Sequence, residues 1–248
     1  MKKSFILIIV FWTFSLYSQD SSFIQITEIK KYYNTNKGDD LPSISTGTVS
    51  SGKLENGKLM PFEGINFVYF DTLSYLSGRA FVNDKVKKTI LETFKEFETL
   101  NPKRHFCFME CSNQRGGQLY PHHTHQNGLS VDFMSSLLKN GVPYYNLDTL
   151  GADHYLLDFD NDGNYLKDNS VSVDFNLIAQ HILLLEKKAR IYGLKISKVI
   201  IKIEFKDNLF ATENGKLLSA SGIYIVKNLT TLINSLHDDH YHIDFELL

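Results

Sequence analysis

His122, His123 and His125 lie within four residues of one another, and His237, His240 and His242 within six, so two short stretches hold most of the nine histidines of a 248-residue chain. Imidazole binds divalent metals as a neutral ligand and exchanges protons near neutral pH. Each cluster also runs into a stretch that alternates like a half-buried strand. Leu129, Val131 and Phe133 face one way and Ser130, Asp132 and Met134 the other; near the end of the chain Tyr241, Ile243 and Phe245 oppose His240, His242 and Asp244. If the two apolar faces share one core, the polar faces are coplanar in a single sheet, and Asp132 meets His240 and His242. A separation of seven would put His125 and Asp132 on opposite faces of a continuous strand. His125 therefore belongs to the preceding loop, where Gly128 lets the chain fold back. Two histidines and a carboxylate leave a fourth tetrahedral position open, which distinguishes a catalytic zinc site from a closed structural one. The remaining histidines would supply proton transfer beside it. Surface histidines near turns are the competing reading; the pairing of two clusters with an Asp on a polar strand face weighs against it.

The elements that must position these residues can be read from periodicity. A strand is expected over 65–70, and a helix over 84–100, where Val86, Ile90, Leu91, Phe94 and Phe97 recur at helical spacing after Asn83 or Asp84 as N-cap. A strand over 105–111 follows, then a loop from Ser112 through Pro121 that enters a strand near Leu129. Val173 to Tyr192 reads as an amphipathic helix stopped by Gly193, Lys195 to Phe205 as a strand, and 223–236 as a helix. The run Asp158 to Gly163 imitates the start of a calcium loop, but position 12 is Asn169 rather than a bidentate Glu, which favours a hairpin turn. The expected fold is α+β: a small, mostly antiparallel sheet flanked by helices at 84–100 and 173–192, with a zinc site in a groove on the polar face. One domain over 20–248 accommodates this.

The first residues, with Lys2 and Lys3 followed by an apolar run from Phe5 to Tyr17, have the layout of a signal peptide over 1–19. The run is shorter than the roughly 20 residues of a membrane span, so no transmembrane segment is expected in the mature chain, and no Cys follows it to carry a lipid. An exported, periplasmic protein is implied. The formal charge is −2, and loses two further positive charges with Lys2 and Lys3; nucleic acid, which needs a concentrated basic surface, is excluded as a partner. Cys107 and Cys111 are too few for a disulfide framework and too far apart to bridge along a strand.

The stretch His125-Gln126-Asn127-Gly128-Leu129-Ser130-Val131-Asp132 is similar to the H-x6-D motif, and His240-Tyr241-His242 to the H-x-H motif, of the zinc peptidases grouped with lysostaphin, the D-Ala-D-Ala peptidases and the hedgehog signalling domain. Within that group the chain most resembles the penicillin-insensitive murein endopeptidases, through GTVSSGKLENGKLMP (47–61), RGGQLYPHHTHQNGLSVDF (115–133) and HDDHYH (237–242). The resemblance implies Zn2+ held by His125, Asp132 and His242, with His240 as the catalytic histidine and His237 and His122 as further active-site histidines; His123 has no counterpart and is a loop residue. It also implies hydrolysis of peptidoglycan peptide cross-links, D-Ala to diaminopimelate, by a metal-activated water. Ser130 stands where relatives often carry Asp, and residues 136–172 align with nothing in the family. A zinc D,D-carboxypeptidase is disfavoured because no Glu shortly precedes His240-Tyr241-His242. A non-catalytic wall-binding module would not need His237 and His240. A zinc phosphoesterase would want more basic residues than Arg115 and Lys139 near the first cluster; Arg115 could instead hold a peptide carboxylate.

Overall fold

The computed structural model describes residues 25–248; the leader expected over 1–19 lies outside them. The fold is mixed α+β. Its centre is a five-stranded sheet in the order β12-β13-β7-β6-β4, formed by Leu194–Ile200, His240–Leu247, Ser130–Met134, Phe106–Phe108 and Phe67–Tyr69. All neighbours are antiparallel except β4 and β6, which run parallel. Two helices cover one face. In α3 (Asp84–Leu100), Asn83 caps the first turn by accepting from the Lys85 amide, and Val86, Ile90, Phe94 and Phe97 form the buried stripe. In α4 (Phe175–Ile191), the Asp174 carboxylate caps through the Leu177 amide, and the helix stops before Gly193, which sits at φ +72°. The rings of Phe94 and Phe106 and the imidazole of His181 from α4 pack together with Phe133 of β7.

The opposite face carries the polar residues of β7 and β13. Both strands are buried on both sides there, because the loop 109–128 and the segment 136–172 fold over them. That segment, which the sequence left without a counterpart, forms a second sheet in the order β10-β11-β8-β9 (Asn164–Tyr165, Asp168–Val173, Leu137–Lys139, Val142–Tyr144) and a 3-10 turn, Gly151–Leu156. The run Asp158 to Gly163 is a tight turn closed by a bridge between Phe159 and Tyr165, its Asp160 carboxylate engaged by the Asp162 and Asn164 amides. Further peripheral elements are a helix through residues 25–36 (α1), the hairpin β1–β2 (Ile44–Thr48, Ser51–Glu55), the small pair β3–β5 (Lys58–Leu59, Phe81–Val82) and α2 (Thr72–Leu76).

Three expected elements are corrected. The strand over 105–111 is only Phe106–Phe108, because from Met109 onward the backbone turns to the loop that covers the site. The strand over 195–205 ends at Ile200, and its last apolar residue, Phe205, instead opens α5 (Phe205–Ala211). Of the helix over 223–236 only α7 (Thr231–Ser235) forms, while α6 (Glu213–Ala220), capped by Thr212 onto the Gly215 amide, was not foreseen. Cys107 and Cys111 are both buried and unbonded. No helix among the described residues is long and apolar enough to cross a membrane.

Candidate metal centre

Strand register does the first part of the assembly. Asp132 of β7 and His242 of β13 are directly opposite, as are Ser130 and Asp244, so the polar faces of the two strands meet as their alternation predicts. His242 Nδ1 lies 2.7 Å from Asp132 Oδ1, and its Nε2 lies 2.6 Å from Asp244 Oδ1. Asp244 is in turn fixed by the Ser130 hydroxyl at 2.6 Å and by Lys198 Nζ at 2.7 Å. Burial alone would push the His242 pKa down; the facing carboxylates of Asp244 and Asp132 outweigh it and raise it to about 10.

The loop brings the first histidine cluster onto the same carboxylate. Its approach needs glycine: at Gly116, φ +68°, an added Cβ would sit 2.2 Å from the Gln126 carbonyl oxygen. His125 itself adopts φ +67°, a left-handed conformation rare for a residue with a side chain and concentrated at functional sites. That turn buries its ring completely. The Nδ1–H donates to the Cys111 carbonyl at 2.5 Å, which leaves the Nε2 lone pair aimed at Asp132 Oδ2, 3.3 Å away. Neither of these two buried atoms has a hydrogen-bond partner. Two lone pairs facing each other are stable around a cation, and donors about 2.0–2.1 Å from a tetrahedral ion lie about 3.3 Å apart.

His122 reaches the same place, its Nδ1 3.7 Å from Asp132 Oδ2 and its Nε2 3.0 Å from Glu110 Oε2. Glu110 is anchored by both the guanidinium of Arg79 and the Ser74 hydroxyl, and its carbonyl accepts from the Asp132 amide at 3.0 Å. Among the described residues, His122, His125 and Asp132 form a group that could hold a metal ion, their ligand atoms all within 4.8 Å of one another. His242 stands against this group, its ring centroid 4.8 Å from that of His125. The carboxylate that would be shared is kept ionised: burial opposes this, but the hydrogen bond and positive charge of His242 favour the ionised form, and the Asp132 pKa lies well below its ordinary value.

The second cluster lines the adjoining cavity of about 460 Å3. His240 Nδ1 bonds Asp239 Oδ1 at 2.5 Å, and Asp239 outweighs burial to raise the His240 pKa. His237 Nδ1 donates to the Ile233 carbonyl at 2.6 Å, its ring centroid is 4.9 Å from that of His240, and burial lowers its pKa to about 3. Pro121, Ile200, Ile233 and Leu236 give the cavity apolar walls, and exposed His123 reaches its rim. Arg115, by contrast, is exposed beside Lys53 and Gln114 outside the cavity and is not brought to the site.

Several contributors escaped sequence reasoning: Glu110 and Arg79 behind His122, and His154 and Tyr155 from the 3-10 turn. His154 is buried with Nε2 3.2 Å from the Asp239 carbonyl, and Tyr155 stands edge-on to His240, centroids 5.6 Å apart. Only the pairing of Asp239 with a histidine cluster signals an orienting acid in the sequence; the others depend on distant segments meeting. No protein-family model and no curated protein matches the chain.

Proposed function

We propose that the chain is an exported zinc peptidase that hydrolyses peptide cross-links of peptidoglycan, at a bond such as D-Ala to diaminopimelate. The observation that carries this reading is the pair of unpartnered, buried atoms His125 Nε2 and Asp132 Oδ2, 3.3 Å apart, at the edge of a cavity lined by five further histidines. Zinc would be held by His125, Asp132 and His242. His125 would bind through Nε2, with Nδ1 fixed on a carbonyl, and His242 through Nδ1, with Nε2 fixed on Asp244; such backing of ligand histidines is the usual second layer of a metal site. When bound, zinc supplies Lewis acidity and makes water a nucleophile near neutral pH.

The chain's own residues then account for the proton traffic. With Nδ1 committed to Asp239, His240 has Nε2 free to take the proton of the attacking water and return it to the leaving amine. His122, oriented by Glu110, stands next to Asp132 and is placed to stabilise charge on the attacked carbonyl oxygen; His237 extends the same wall. The apolar walls hold the peptide and limit water. The peptidoglycan substrate is supported by the resemblance of the three sequence stretches to murein endopeptidases. A phosphoester reading loses support because Arg79, the cation at the cavity, is neutralised by Glu110.

The test is digestion of purified cross-linked muropeptides by the protein with and without chelator, beside His240→Ala. Monomers should accumulate with the untreated wild type alone. Absence of monomers with the wild type, or equal release by His240→Ala, rejects the reading.

A further inference from the structure

Tyr155 comes from the segment 136–172 that has no counterpart in the resembling family. The turn that presents it is held by His154, whose two ring nitrogens face the carbonyls of Leu147 (3.3 Å) and Asp239 (3.2 Å). The Tyr155 ring is clamped edge-on between Phe70 and His240, each 5.6 Å away between centroids, and forms part of the wall of the histidine cavity. Its hydroxyl is buried and has no hydrogen-bond partner in the protein. A buried hydroxyl normally finds a partner, because leaving one unpaired costs free energy. Here the partner is missing on a ring whose position is otherwise over-determined. Three histidines of the wall are each committed at one nitrogen: His122 to Glu110, His237 to Ile233 and His240 to Asp239. Burial, reinforced by the nearby charges of Asp132 and Glu110, keeps the phenol protonated and so a donor.

We infer that Tyr155 is a catalytic residue whose hydroxyl donates a hydrogen bond to the carbonyl oxygen of the bond being cut, where negative charge develops; this rests on the hydrolase reading above. The phenol keeps its proton: it donates a hydrogen bond while the water oxygen bonds to the carbonyl carbon, the carbon–nitrogen bond breaks, and one proton of that water passes through His240 to the leaving amine. Removing one such donor lowers turnover on the order of 10²–10³-fold.

The experiment compares the wild type with Tyr155→Phe, which keeps the ring and deletes only the unpartnered oxygen. The expected result is a kcat lower by about 10²–10³-fold, KM within about twofold because the bond strengthens as charge develops, equal zinc content and an unchanged or raised Tm, since the lost hydroxyl bonds nothing in the free protein. Equal kcat in the two proteins overturns the inference while leaving the peptidase reading intact. A lowered Tm or zinc content accompanying the loss of kcat also overturns it, by making the residue structural. No turnover by the wild type overturns the peptidase reading, and the inference with it.

Discussion

The central sheet buries a histidine on each of its faces, and the two are linked through neighbouring residues of one strand. His181, from α4, bonds the hydroxyl of Tyr241 at 2.5 Å on the helix-covered face; His242, the next residue of β13, bonds Asp132 and Asp244 on the other. Both rings are almost fully buried. Burial takes His181, which has only aromatic rings and one phenol around it, down to a pKa of about 3; the same burial at His242 is outweighed by two carboxylates, and the pKa rises to about 10. Burial is therefore common to both faces, and the charges built into the strands decide what each histidine can do. The apolar face fixes the backbone: Phe133 stacks on Tyr241 with centroids 5.7 Å apart, locking the register that sets Asp132 opposite His242. The polar face uses that rigidity to hold like-signed lone pairs close together.

The largest effect should come from breaking the polar face at its centre. Asp132→Asn removes the carboxylate charge that His122 and His125 approach at Oδ2 and His242 at Oδ1. Metal content after dialysis should fall to background, and muropeptide turnover with it. An Asp132→Asn protein that retains one equivalent of metal would show that the histidines alone define the site. A smaller, graded effect should follow one layer back. Asp244→Asn leaves Asp132 and the ligand histidines in place but weakens the acceptor behind His242 Nε2, and metal affinity should drop about 10–100-fold, the usual cost of losing such a partner. Competition with a chelator measures this. Unchanged affinity would leave His122, rather than His242, as the third ligand beside His125 and Asp132.

The contrast between the faces also explains which features were legible in the sequence. Alternation along 129–134 and 240–245 gave both faces correctly, because a period of two allows one core side and one site side. The α3 and α4 boundaries follow from local caps, Asn83 and Asp174, and from apolar stripes. The left-handed turn at His125 was anticipated only as a loop bend at Gly128; both residues carry it, at φ +67° and +75°. What remained hidden depends on non-local meetings. Glu110 gives no signal until the chain sets it beside His122, and residues 136–172 lack strong periodicity because they form short strands and one 3-10 turn. The alternation from Lys195 to Phe205 reads as one strand, whereas β12 ends at Ile200 and Phe205 opens α5, since apolar residues at 201, 203 and 205 do not by themselves tell a strand from a turn into a helix.

The smallest expected effect sharpens the other side of the comparison. His181 has a folded-state pKa of about 3 against 6.5 for the ordinary ring, so between those values the unfolded chain binds a proton that the folded chain refuses. Its contribution is thus fully present above about pH 6.5 and is lost as the pH falls toward 3, with a slope of about 1.4 kcal/mol per pH unit for one proton. The groups that face it are the phenol of Tyr241 and the rings of Phe94, Phe97, Phe106 and Phe133, none of which ionises in that window. His181→Gln keeps a polar group within reach of Tyr241 but cannot titrate. Urea unfolding at pH 7 and pH 5 should show the wild type losing stability by about one proton's slope more than His181→Gln over that interval. Equal pH dependence in the two proteins would mean that His181 gains a proton inside the folded core, and that the aromatic face is less closed to charge than its packing requires.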